Sequence, residues 1–244
     1  MEALPAILMP SAHGANHTEI AYHTIKRQII ELQLPPGGQF TEGELAREAG
    51  VSKSPVRDAL GRLQRDGLVE SIPRSGYYVC PVTLGTTRDL GEFRVVIEPA
   101  AGRLAAEHGM PEEVLGRLTE LAETTLAQSW TSMEGGIEAY LRANLEFDAL
   151  IANACGNRQL MRAVISVLDD LERVLRLILP ALKWSKVRVE QRKRIVAALA
   201  AGDGDAAFEV MDERTRASAA EVFQALLESP AVLDAAITSQ SSRA

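Results

Sequence analysis

Apolar residues recur at helical spacing along most of the chain, and glycine and proline mark the breaks between the periodic stretches. From His17, the side chains of Tyr22, Ile25, Ile29 and Leu32 fall on one face of a helix, which the run Leu34-Pro35-Pro36-Gly37-Gly38 cannot continue. Thr41 followed three residues later by Glu44 has the form of a capping box, so a second helix is expected there, with Gly50 as its left-handed end. After a turn through Val51 to Lys53, Ser54 is expected to cap a third helix with Pro55 at its first position, running to Gly67. Two short β-favouring runs follow within residues 68–81, and Pro73-Arg74-Ser75-Gly76 between them predicts a hairpin. The period then turns helical again, with helices expected near 86–108, 112–129, 135–154, 157–180, 185–202 and 204–228. Connections of a few residues make successive helices antiparallel, and the product is a bundle.

This pattern divides the chain into a flexible arm at 1–16, a unit of three helices and a hairpin at 17–81, a linker at 82–87, an all-α unit at 88–228 and a fraying tail at 229–244. The fold class is therefore mainly α. Composition agrees: of 244 residues 46% are hydrophobic but only 5% aromatic, which favours helices packed through small and straight-chain side chains. No apolar run approaches the roughly 20 residues needed to span a bilayer, so no membrane partner and a cytoplasmic location are expected. Cys80 and Cys155 form no C-x-x-C pair and are expected to be buried as small hydrophobes. Trp130 and Trp184 fall at helix breaks, as packing anchors.

A net charge of −7 speaks at first against a nucleic-acid partner. Its distribution reverses that inference. Residues 17–81 hold eight Lys and Arg against eight Asp and Glu, while residues 82–244 hold 18 against 24. Between Ser52 and Arg65 there are four basic residues and one acidic one, a local excess of positive charge on one helix. Around it, Ala46, Gly50 and Val56, with Ala49, Val51, Leu60 and Leu63, have the spacing of a helix-turn-helix seam. That seam directs Ser52, Lys53, Ser54, Arg57 and Arg62 outward, where such groups meet phosphates and base edges. The hairpin becomes a wing with Arg74 and Gly76 at its tip: arginine suits the minor groove, and glycine lets the backbone approach a phosphate. The reading is a winged helix-turn-helix DNA-binding domain over residues 17–81.

The segments Leu34 to Gly38, Glu44-Leu45-Ala46, Gly50 to Leu60, Leu63, Asp66 to Val69 and Arg74 to Val79 resemble the winged-helix domain of GntR-family bacterial transcription regulators. In that family the turn and the start of the recognition helix contact phosphates and guanines. The resemblance implies such roles for Ser52, Lys53, Ser54 and Arg57, with the wing glycine at Gly76. Gly43 departs from the pattern, because some relatives carry a DNA-contacting arginine there. The C-terminal helices are similar to the ligand-sensing domain of the fatty-acid-regulator branch of that family. Phe93-Arg94 with Glu98, Asn144 to Phe147, Gly156-Asn157, and Ile195 to Ala207 around Gly202-Asp203 carry that likeness.

Many members of that branch hold a divalent metal through an aspartate, a histidine one turn later and two further histidines. In register, those positions are Asn144, Asp148, Arg192 and Arg214 here. Arginine offers only donors and does not ligate a divalent cation. With three of the four histidines in the first 23 residues and only His108 beyond them, no metal or other cofactor is expected. Two guanidinium groups supply about the charge the metal would have brought, and Asp148 could pair with one of them. With Arg94 facing the same space, the expected effector site is Arg94, Asn144, Asp148, Arg192 and Arg214, and its ligand a small carboxylate.

No phosphate loop, nucleophile elbow or catalytic carboxylate pair is visible, and Asp169, Asp170 and Glu172 read as a solvated face. The function expected is a non-enzymatic transcription regulator, a repressor by family tendency. It would bind a pseudo-palindromic operator as a homodimer and sense a small organic acid. Two other readings stand beside it: a regulator whose effector domain holds no ligand, and a metal-dependent enzyme, against which the missing histidines count.

Overall fold

The computed structural model describes residues 17–127, 136–178 and 186–229. They separate into two compact units that meet in sequence at Thr83 and Leu84. The flexible arm, the fraying tail, Trp130 and Trp184 all lie outside the described residues.

In the first unit α1 (His17–Ile30), α2 (Glu42–Ala49) and α3 (Lys53–Arg65) pack around a core of Tyr22, Ile25, Ile29, Val56, Leu60 and Leu63. Helix α1 stops at Ile30, four residues short of Leu34, because Leu32 turns to a left-handed φ of 61°. Helix α2 keeps its expected ends. The Thr41 hydroxyl accepts from the Glu44 amide, the Glu44 carboxylate accepts from the Thr41 amide, and Gly50 closes the helix at φ 65°.

Helix α3 begins earlier than expected, with Ser52 and not Ser54 as N-cap. Pro55 consequently occupies the third helical position, which it tolerates because N–H groups of the first turn have no partner within the helix. Ala49 of the expected seam is exposed and Val51 only half-buried.

The hairpin forms as β2 (Val69–Ile72) and β3 (Gly76–Val79), and a two-residue strand that the sequence did not predict, β1 (Gln39–Phe40), pairs with β3 to give the sheet order β1-β3-β2. Gly76 is fixed by that third strand. Its φ is 123°, and a Cβ there would lie 2.4 Å from the carbonyl oxygen of Phe40.

The second unit holds α4 (Leu84–His108), α5 (Glu112–Ala127), α6 (Gly136–Ala154), α7 (Arg158–Ile178), α8 (Lys186–Ala201) and α9 (Gly204–Leu227). Helix α4 starts at Leu84, so most of the expected linker at 82–87 is its first turn. Phe147, Leu118, Ile151, Ile195 and Leu199 are fully or almost fully buried at the centre of this bundle. Close approach of α4 to α9 uses Gly102, where a Cβ would meet the Met211 sulfur at 2.7 Å. At the α8–α9 corner Gly202 takes φ 69°, and Asp203 caps α9 by accepting from the Ala206 amide at 2.9 Å.

Two side-chain expectations are corrected. Glu172 is not solvated: it is 3% exposed and accepts from Arg176, which also reaches Glu138. Its position falls on the strongly amphipathic inner face of α7, where charge is tolerated only when paired. Cys155 is buried, but Cys80, just past the end of β3, is only half-buried. No described helix is long and apolar enough to cross a membrane.

Candidate functional site

Two constellations carry chemistry, one in each unit. In the first, Ser52, Lys53, Ser54 and Arg57 are all exposed at the start of α3. Ser52 makes no side-chain capping bond. Lys53 lies beside Gly43: a Cβ there would be 3.7 Å from the lysine Nζ. The position where some relatives place an arginine is thus flanked by a lysine from the next helix. Arg74 is exposed in the β2–β3 turn with a left-handed φ of 65°, and Gly76 follows at the start of β3.

Arg57 is held in a way the sequence did not signal. Its Nε donates to Glu42 Oε1 at 3.0 Å and its Nη2 to Oε2 at 2.8 Å, a side-on charge-assisted pair between α3 and the first residue of α2. The Tyr77 hydroxyl of β3 lies 3.4 Å from Glu42 Oε1. The hydrogen bond from Arg57 outweighs partial burial and holds the Glu42 carboxyl below its ordinary pKa, while Glu42 in turn raises that of Arg57. Only the capping box, which fixes Glu42 as the residue after Thr41, hints at this contact. Arg62 is drawn elsewhere: it donates to Glu19 at 2.6 Å, and its guanidinium lies 4.0 Å from the centre of the Tyr22 ring, which ties α3 to α1.

In the second unit Arg94, Asn144, Asp148, Arg192 and Arg214 line one cavity of about 70 Å³. Asn144 and Asp148 sit one turn apart on α6, while Arg94, Arg192 and Arg214 come from α4, α8 and α9. Arg214 Nη2 donates to Asp148 and Arg192 Nη2 to the Asn144 oxygen. Both guanidinium groups lie against Phe147, 5.6 Å and 5.0 Å from its ring centre, so a residue whose position reads as core also serves the site. Behind them Arg94 donates to Glu98 at 2.7 Å, and Glu98 accepts from Thr215 at 3.0 Å.

Burial acts to lower the pKa of Arg214, but the carboxylates of Asp148 and Glu98 outweigh it and the value is raised. Its Nε is buried with no hydrogen-bond partner among the described residues. The four positions that correspond to metal ligands offer one carboxylate, already accepting from an arginine, one amide and two guanidiniums. That donor set does not fit a divalent cation. Gln191 and Tyr140 also line the cavity, and neither stood out in the sequence.

A winged helix with an exposed basic recognition helix, joined to a helical bundle, defines a DNA-binding transcription regulator. Residues 17–79 match the bacterial regulatory proteins of the gntR family, and residues 89–217 match the FCD domain. The chain belongs to the GntR family and carries an FCD domain. A probable D-xylose utilization operon transcriptional repressor from Paenarthrobacter nicotinovorans is 30% identical over 75% of this chain and 78% of its own length. An uncharacterized HTH-type transcriptional regulator from Agrobacterium vitis is 34% identical over 52% of this chain and 75% of its own. The solved structure of E. coli McbR/YncC superposes with a TM-score of 0.71 over 86% of this chain and 98% of that one, at 22% identity, a likeness of fold.

Proposed function

We propose that this regulator binds a pseudo-palindromic operator as a homodimer and changes its operator affinity when a small carboxylate enters the helical-domain cavity, directly on arginine and without a metal. The carrying observation is Arg214: a buried guanidinium on the cavity wall whose Nε lacks an acceptor among the described residues. An unsatisfied buried donor costs about 1–3 kcal/mol, and a ligand carboxylate oxygen would remove that cost. A water needs on the order of 10–15 Å³, so the cavity suits an acid of only a few carbons. On this reading Ser52, Lys53, Ser54, Arg57, Arg74 and Gly76 face the DNA, and the protein acts as a cytoplasmic repressor without catalytic activity.

Dimer formation has a matching surface. Phe93 and Val96 are 48% and 67% exposed on α4, and Val96 lines a groove whose walls include Gly91, Ala219 and Phe223. Arg88 and Glu92, of opposite sign and one turn apart, border that groove, a pattern that a second copy related by a two-fold axis can meet with the signs exchanged. Light scattering of the purified chain reads the mass directly, and a monomer at micromolar concentration would contradict this part.

A second reading rests on the two pairs already formed, Arg214 with Asp148 and Arg192 with Asn144: a closed polar core with no ligand. Calorimetric titration with a panel of mono- and dicarboxylates separates the two. Saturable binding of one acid, lost in Arg214→Met, supports the sensor. No heat from any acid supports the closed core.

A further inference from the structure

We infer that Glu42 is a positioning residue for sequence readout, holding Arg57 by one edge so that the opposite edge is presented to a guanine. The inference rests on the reading that Arg57 meets a base.

Three observations carry it. A guanidinium has five N–H donors in a rigid fork. Glu42 takes Nε and Nη2, the side edge, and Nη1 makes no bond among the described residues. What remains, Nη1 with the second Nη2 hydrogen, is the end-on pair whose spacing matches guanine O6 and N7. The clamp is also built from three elements. Glu42 opens α2, Arg57 lies on α3 and Tyr77 on β3, so the helix before the turn, the recognition helix and the wing all meet at one carboxylate.

Last, the charge has the wrong sign for a phosphate-binding face. An ionised acid beside Lys53 and Arg57 weakens attraction to any DNA. It is useful there only if the order it imposes on Arg57 gains more on the correct sequence than its charge loses on all sequences. An arginine restrained before binding loses less side-chain freedom when it binds.

The two roles predict opposite signs. If Glu42 acts only through its charge, Glu42→Gln tightens binding to every duplex alike, and Glu42→Asp, which keeps the charge, matches the wild type. If Glu42 positions Arg57, both variants lose specificity. The experiment uses the full chain, a duplex selected by the wild type from a random-sequence pool, and a shuffled duplex of the same composition. Fluorescence anisotropy at two salt concentrations gives the ratio of the two affinities.

The expected result is a ratio lowered about tenfold in Glu42→Gln and also lowered in Glu42→Asp, the order expected when one bidentate base contact is disturbed. Binding of Glu42→Gln to the shuffled duplex is equal or tighter. Glu48→Gln, which removes an exposed charge from the same helix, leaves the ratio unchanged. Thermal melts confirm that each variant is folded. Arg57→Ala tells the two failures apart. A wild-type ratio in Arg57→Ala overturns the base-reading assignment and the inference with it. A lowered ratio in Arg57→Ala beside a wild-type ratio in both Glu42 variants overturns the inference alone.

Discussion

The guanidinium of Arg214 on α9 donates to the carboxylate of Asp148 on α6, 66 positions away in sequence, with both side chains buried. Asp148 takes Nη2, and Nε is buried without an acceptor among the described residues. The Asp148 carboxylate thereby offsets the cost of burying the arginine. The Phe147 ring supports both Arg214 and Arg192, a further stabilisation of buried cations.

Removing only the carboxylate should be costly. Asp148→Ala leaves Arg214 buried without its ion-pair partner, and breaking one side of a buried pair costs about 3–5 kcal/mol. Urea unfolding of the full chain measures this. The double change Asp148→Leu with Arg214→Met should recover most of the stability while abolishing carboxylate binding, which separates the pair's structural role from its role in sensing.

Arg57→Ala should weaken binding to the operator by about 1–3 kcal/mol and relax the preference at one base position. Lys53→Ala should instead weaken binding to all sequences alike and reduce the slope of log affinity against log salt by about 1. Anisotropy titrations over a salt series check both together. Equal loss on selected and shuffled duplexes for Arg57→Ala would move that residue to the phosphates.

Gly76→Ala tests the wing. The left-handed backbone at φ 123° and the 2.4 Å approach of a new Cβ to the Phe40 carbonyl both oppose a side chain. A loss of at least about 1–3 kcal/mol in thermal or chemical unfolding is expected. Unchanged stability would mean that β1 moves aside at little cost.

The Glu42 carboxyl lies below its ordinary pKa because Arg57 donates to it. Its pairing therefore stabilises the fold above the usual glutamate range, near 4.3, and the contribution fades as pH falls through the lowered value. The stability advantage of wild type over Glu42→Gln should be full at neutral pH and vanish in strong acid. Paired unfolding curves from neutral pH down to acid measure it; a difference that grows on acidification would contradict the assignment.

The sequence already carried much of this architecture. Thr41 with Glu44, Gly50, and the paired glycine breaks set the elements, since each obeys a local rule that tertiary packing left intact. Where local signals competed, the sequence was less decisive. Ser52 and Ser54 are both cap-type residues, and Pro55 loses no hydrogen bond in either register, so the local sequence does not choose between them. The strand Gln39–Phe40 has only two residues and exists through its pairing with Tyr77 and Tyr78, which no local pattern encodes.

The same holds at the sites. The spacing of Asn144 and Asp148 was legible because it is one helical turn. Their partners on α8 and α9 were placed by likeness to a family. Glu42 and Arg57 meet only because two helix starts converge, and Glu172 is buried by the packing of α7.

The central claim is that a small carboxylate held by Arg214 and Arg192 changes how tightly the winged helix binds its operator. The most direct measurement is operator affinity by anisotropy in the absence and presence of a saturating acid found by calorimetry, on wild type and on Asp148→Leu with Arg214→Met. A change of about 5- to 150-fold in wild type, absent from the double variant, is the predicted result. An acid that saturates the cavity and leaves operator affinity unaltered, or an equal response in both proteins, would contradict it.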